Sequence, residues 1–247
     1  MSADVETHAR CSITIRAAFV ARLLAIAIAC LVAAHITVHV AHFGFGRDHL
    51  MGLTPLFDMN REGNAPAWYS GTVFLASAAA LAAVAAAKRR QADQFQRHWA
   101  VLALAFLYLS FDELTQVHEK WGDVLNGPLA SWRRREVLGG VLRNLWVLPA
   151  GVMAAVVGLS YLRFLAHLPV VTRTLFVASG VTFVGAAVGM EMLGASYSAA
   201  GGRYHPGFMV FVTIEEGLEM GSIAVFLYAV LTYAARNIGG VHLDFRA

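Results

Sequence analysis

The chain of 247 residues is 58% hydrophobic and only 14% charged, well below the roughly 25% of charged residues in an ordinary soluble domain. Its formal charge of +3 is too small for a nucleic-acid-binding surface, and its basic residues gather at the ends of apolar runs. Two cysteines, Cys11 and Cys30, make no disulfide framework; Cys30, inside the first apolar run, reads as a buried free thiol. The composition predicts an all-α fold: a polytopic membrane helical bundle with about six transmembrane helices, in one integral membrane domain over 1–247.

The first crossing is expected over 17–40, about the 20 residues needed to span roughly 30 Å of hydrocarbon. It lacks a clear cleavage site and reads as a retained helix. A loop over 43–66 follows and carries Asp58 and Glu62, whose default reading is solvated charge. The second crossing, 68–87, is rich in Ala and Ser, which let membrane helices approach closely, and Lys88, Arg89 and Arg90 stop it. The third is expected over 98–117. The long connection after it holds Trp121, Trp132 and Arg133 to Arg135 and predicts a short interfacial helix over 131–145. Crossings over 145–164, 175–193 and 208–235 complete the bundle, with Gly201, Gly202 and Pro206 turning the chain before the last. The short basic loop over 88–97 places both termini on the cytoplasmic side.

Ionisable residues interrupt these apolar runs at one level. A helix rises about 1.5 Å per residue, so position along a crossing converts to depth. Asp112, Glu113, His118 and Glu119 fall in the outer third of the third crossing, and Glu191 near the outer end of the fifth. Glu215, Glu216 and Glu219 lie shortly below the outer end of the sixth, and His35, His39 and His42 close the outward end of the first. At 100° per residue the three histidines lie at about 0°, 40° and −20°, one narrow stripe. Glu215, Glu219 and Glu216 lie at about 0°, 40° and 100°, so the adjacent pair cannot both face one centre. Unpaired acids at such depth are costly. Facing carboxylates and histidines are the means by which helical bundles hold iron or manganese. The expected metal ligands are His35, His39, Glu113, His118, Glu191, Glu215 and Glu219, with Asp112 as a catalytic base or as a residue orienting a ligand. Iron, manganese or zinc suits such a donor set. Glu119 and His42 have an equally good reading as groups at the membrane edge.

A Gly-rich phosphate loop, Gly-x-Ser-x-Gly, Cys-x-x-Cys and His-Glu-x-x-His are all missing from the sequence. Phe-Leu-Tyr-Leu-Ser-Phe-Asp-Glu-x4-His-Glu at 106–119 and Phe-Asp-Met-Asn-Arg-Glu-Gly-Asn-Ala-Pro-Ala-Trp at 57–68 resemble a family of bacterial multi-spanning membrane proteins. Gly-Met-Glu-Met at 189–192 and Thr-Ile-Glu-Glu-x2-Glu-Met at 213–220 fit the same pattern. The resemblance covers about 43–235 and implies a helical membrane fold in a bacterial inner membrane; it brings no reaction with it. The residues themselves favour a metal-binding membrane protein, an oxidoreductase or hydrolase acting on a lipid-phase small molecule. A proton- or cation-coupled carrier is the second reading, although such carriers more often place their site at the midplane between repeats. A structural or assembly subunit of a membrane complex, in which the acids only join helices, is the third. The expected partners are the lipid bilayer and a lipid-phase small molecule or cation, not nucleic acid.

Overall fold

The computed structural model describes residues 12–14, 16–46, 52–117, 120, 124, 147–201, 205–239 and 242–244. The expectations for His118, Glu119 and the interfacial helix over 131–145 lie outside the described residues. The chain is an all-α membrane bundle. Helix α1 (Ala17–Phe45) is followed by the short α2 (Thr54–Phe57), α3 (Ala65–Arg90) and α4 (Gln96–Thr115). Then come α5 (Val147–Ser160), α6 (Leu162–His167), α7 (Val170–Val184), a π-helical turn (Gly185–Met190), α8 (Glu191–Gly201) and α9 (Pro206–Asn237).

Four stretches are long and apolar enough to cross a membrane: Ala17–Phe45, Ala65–Arg90, Val170–Ser198 and Pro206–Asn237. With 26 residues or more each, they exceed the roughly 20 that a bilayer core requires. They are apolar all round, because one side meets lipid and the other meets protein. Helix α4 has 20 residues and carries Arg97, Asp112 and Glu113 toward its two ends. The run expected at 145–164 is divided at Tyr161 into α5 and α6, and the run expected at 175–193 extends from Val170 to Gly201 through the π-helical turn.

Helix α9 is the hub, packing on α1, α3, α7, the π-helical turn and α8. Helices α3 and α4 form a tight antiparallel hairpin. Gly71 permits the approach, since a Cβ there would meet the Leu114 side chain at 3.1 Å. Ser110 Oγ donates to the Gly71 carbonyl at 2.7 Å, the kind of interhelical bond that joins helices where water is absent. At the far end of the hairpin Lys88 Nζ pairs with Asp93 Oδ2 at 3.2 Å. Just before α1 and just after α9, Ser12–Thr14 (β1) and His242–Asp244 (β2) pair antiparallel, Ile13 opposite Leu243. The start of α1 and the end of α9 therefore lie on one side of the bundle.

The core has two parts. One gathers Trp99, Phe164, Phe176, Phe226 and Tyr233 around the Trp99 end of the bundle. The smaller one, at the opposite end, joins Met59 of the first loop to Phe208, Met209, Val212 and Met220 of α9. Cys30 corrects an expectation: it is exposed, not buried. The protein-facing stripe of α1 runs through His35, Val38 and Ala41, and position 30 lies off it, where a thiol is apolar enough to meet lipid.

Candidate functional site

The loop between α2 and α3 folds back over the end of α1, and a set of hydrogen bonds explains why. Asn64 Nδ2 donates to the carbonyls of Asp58 (2.7 Å) and Arg61 (2.6 Å). Its Oδ1 accepts the Ala67 N–H at 3.0 Å, capping α3, and Pro66 in the first turn suits the helix start. One buried amide thus closes the loop and begins the helix. Asn64→Ala should lower stability by about 2 kcal/mol, from a lost cap together with stranded carbonyls. A melting curve in detergent reads this directly, and a change smaller than that of an ordinary surface substitution would contradict it.

This loop carries Asp58 to the histidines of α1. Asp58 is buried, 6% exposed, which corrects its reading as solvated loop charge. Its Oδ1 accepts from His39 Nε2 at 3.0 Å and from the Asn60 N–H at 3.1 Å, and its Oδ2 from Arg61 Nε at 3.2 Å. Burial pushes the Asp58 carboxyl up, but the hydrogen bond and charge of His39 and the Asn60 N–H outweigh it, and the net position is below the usual carboxylate range. His35 is 1% exposed. Its Nδ1 accepts the Met59 N–H at 3.0 Å and lies 3.3 Å from the Phe57 carbonyl oxygen. The rings of His35 and His39 stand edge to face with centroids 4.4 Å apart. His35, His39 and Asp58 each offer one donor atom, all within 4.8 Å of one another, so the three could hold a metal ion.

A second group is built from carboxylates. Glu215 of α9 is hydrogen-bonded to Glu191, the first residue of α8, and two carboxyl groups so joined share a proton. Glu113, Glu62, Glu215 and Glu191 all lie within electrostatic range of Glu216. Glu216, Glu113, Glu215 and Glu191 lie within range of Glu219. Four elements supply these side chains: the first loop, α4, α8 and α9. The π-helical turn Gly185–Met190 ends directly before Glu191, and such turns recur at functional sites.

Of the residues marked by sequence, Glu191 and Glu215 are hydrogen-bonded, and Glu113, Glu191 and Glu215 lie within electrostatic range of Glu219. His35 and His39 stand in the other group, with Asp58. Asp112 is half-buried on α4, within electrostatic range of Tyr108. His118 lies outside the described residues. Glu216 and Glu62 join the carboxylates although the sequence reading does not place them there. The adjacent Glu215 and Glu216 were a signal for the first, and the motif at 57–68 held the second. The two groups are neighbours across Met59. Met59 belongs to one apolar cluster with Phe208, Met209, Val212 and Met220, and Val212 and Met220 each lie one turn from Glu216 on α9.

A family model described as a domain of unknown function (DUF8692) matches residues 23–233. No curated protein and no solved structure matches the chain.

Proposed function

We infer the function of this chain, which belongs to the DUF8692 family, from its own residues: it is an integral membrane metalloprotein that acts on a lipid-phase small molecule at its glutamate centre. The observation that carries this is that Glu62, Glu113, Glu191 and Glu215 all lie within electrostatic range of the buried Glu216. Several carboxylates at membrane depth repel one another unless a cation or protons neutralise them. With this many oxygens, one divalent cation neutralises more charge and occupies more lone pairs than a single shared proton. Glu113, Glu191, Glu215, Glu216 and Glu219 are the proposed ligands, with His118 the nearest imidazole in sequence. Oxygen donors with one imidazole suit iron, manganese or zinc. Such an ion supplies Lewis acidity, or redox chemistry if it is iron. Asp112 adjoins Glu113 and is the proposed base, accepting a proton from the substrate or from water at its carboxylate. Glu191 and Glu215, already sharing a proton, can pass one along the cluster.

A carrier reading has one observation in its favour: the π-helical turn interrupts an otherwise continuous crossing beside Glu191, and irregular helices line cation sites in transporters. Elemental analysis of detergent-purified protein separates the two. The expected result is stoichiometric iron, manganese or zinc that falls by at least one equivalent in Glu113→Gln and in Glu216→Gln. Wild-type protein carrying no such metal, with cation uptake into vesicles lost in the same variants, would move the carrier reading ahead.

A further inference from the structure

The imidazole pair on α1 plays no part in the glutamate centre, yet it has the features of a site. His35 Nε2 and His39 Nδ1 are buried and have no hydrogen-bond partner among the described residues. Buried ring nitrogens almost always find a partner. The His35 ring, its centroid 4.4 Å from that of His39, thus keeps one nitrogen that no described protein group occupies. The other nitrogen of each ring faces an oxygen. His39 Nε2 meets Asp58 Oδ1 at 3.0 Å, and His35 Nδ1 lies 3.3 Å from the Phe57 carbonyl oxygen. A ligating histidine is oriented as His35 would be, its far N–H donated to a backbone carbonyl, while His39 Nε2 and Asp58 Oδ1, 3.0 Å apart, stand close enough to be two donors to one ion. The three donor atoms, within 4.8 Å of one another, draw closer on taking up an ion with bonds of about 2.0–2.2 Å.

We propose that His35, His39 and Asp58 bind one divalent transition-metal ion of their own, of the zinc type, separate from any cation held by the glutamates. Two imidazoles and a carboxylate are borderline donors that favour zinc over magnesium or calcium. The site does not depend on the glutamate centre holding a metal. In the ion-free chain, His35 Nδ1 accepts the Met59 N–H at 3.0 Å, so the ring proton sits on Nε2, buried and without an acceptor. An ion at Nε2 needs that lone pair. The proton then moves to Nδ1, where the Phe57 carbonyl accepts it, and the Met59 N–H is released. No proton is lost from His35 in this exchange. Met59 shares an apolar cluster with Val212 and Met220 of α9, so the release of its N–H falls at the edge of the cluster that borders Glu216. Arg61, exposed on the far oxygen of Asp58, competes with the ion for that carboxylate's charge.

The test uses the full chain in detergent, stripped with a chelator and titrated with zinc, with bound zinc and melting temperature recorded. Wild type should bind one equivalent at this site and melt higher when it is filled. That equivalent should survive in Glu113→Gln and Glu216→Gln. In His35→Gln, His39→Gln and Asp58→Asn it should weaken at least about ten-fold. Because those three variants could fail by misfolding, cobalt(II) bound to Glu113→Gln and Glu216→Gln provides a second readout: a four-coordinate nitrogen and oxygen site gives visible d–d absorption. Arg61→Ala should bind zinc more tightly. A Glu113→Gln or Glu216→Gln protein that binds no zinc, the same protein's cobalt without those bands, or a His39→Gln variant with unaltered affinity overturns the proposal. None of these outcomes touches the metal content assigned to Glu113 and Glu216.

Discussion

Asp58→Ala is expected to cost about 3 kcal/mol of stability, at the lower end for breaking a buried ion pair by removing one partner. The substitution leaves His39 Nε2 and the Asn60 N–H without their acceptor and frees Arg61. Asp58→Asn, which keeps one carbonyl oxygen, should recover about half of the loss. The same residue predicts a pH dependence. The Asp58 carboxyl is held below its ordinary value in the folded protein, so the unfolded chain takes up a proton first as pH falls. Its stabilising contribution is complete above the ordinary carboxylate value of about 4 and is lost as pH drops through the lower folded value. Melting temperatures between neutral pH and about pH 3 should therefore fall more steeply for wild type than for Asp58→Asn. Identical acid slopes in the two proteins would mean that His39 and Asn60 do not hold the carboxylate as the geometry implies.

The sequence makes the helices legible because each apolar run is far longer than a strand or a turn requires, and it makes the level of the acids legible because helical rise converts position into depth. Glu215 meeting Glu191 is a consequence of that level. What one helix at a time cannot reveal is which residues of neighbouring elements touch. Two acids side by side, Glu215 and Glu216, present different faces, and only the arrangement of the first loop, α4, α8 and α9 brings their carboxylates within electrostatic range of Glu216. The histidines are legible as a stripe, but their partner comes from a loop. Asp58 reads as a solvated charge until Asn64 is seen closing that loop onto α1. The π-helical turn leaves no mark either: Gly185 and Gly189 are equally at home in a straight membrane helix. Cys30 fails for a related reason, since an apolar run does not say which of its sides meets lipid.

Trp99→Ala should cost about 3 kcal/mol while leaving the metal content of folded protein unchanged. Trp99 is 1% exposed and belongs to α4. Its ring centroid lies 5.0 Å from that of Phe164 on α6, 6.0 Å from Phe176 on α7 and 4.8 Å from Tyr233 on α9. Four helices meet on one side chain. In a bilayer the loss is mainly one of packing, because lipid rather than water surrounds the helices when they separate. The lower end of the range for deleting a buried aromatic therefore applies. Trp99→Phe should regain more than half by refilling most of the cavity. The measurement is a melting curve paired with metal analysis of the monodisperse fraction. This residue sits at the end of the bundle away from Asp58 and Glu216, with the length of the α3–α4 hairpin between them. If Trp99→Ala stays folded yet loses metal, that hairpin transmits a distortion along its whole length and the two ends act as one cooperative unit. Retained metal with a lowered melting temperature assigns the Trp99 end to holding helices together, independently of the His35 end.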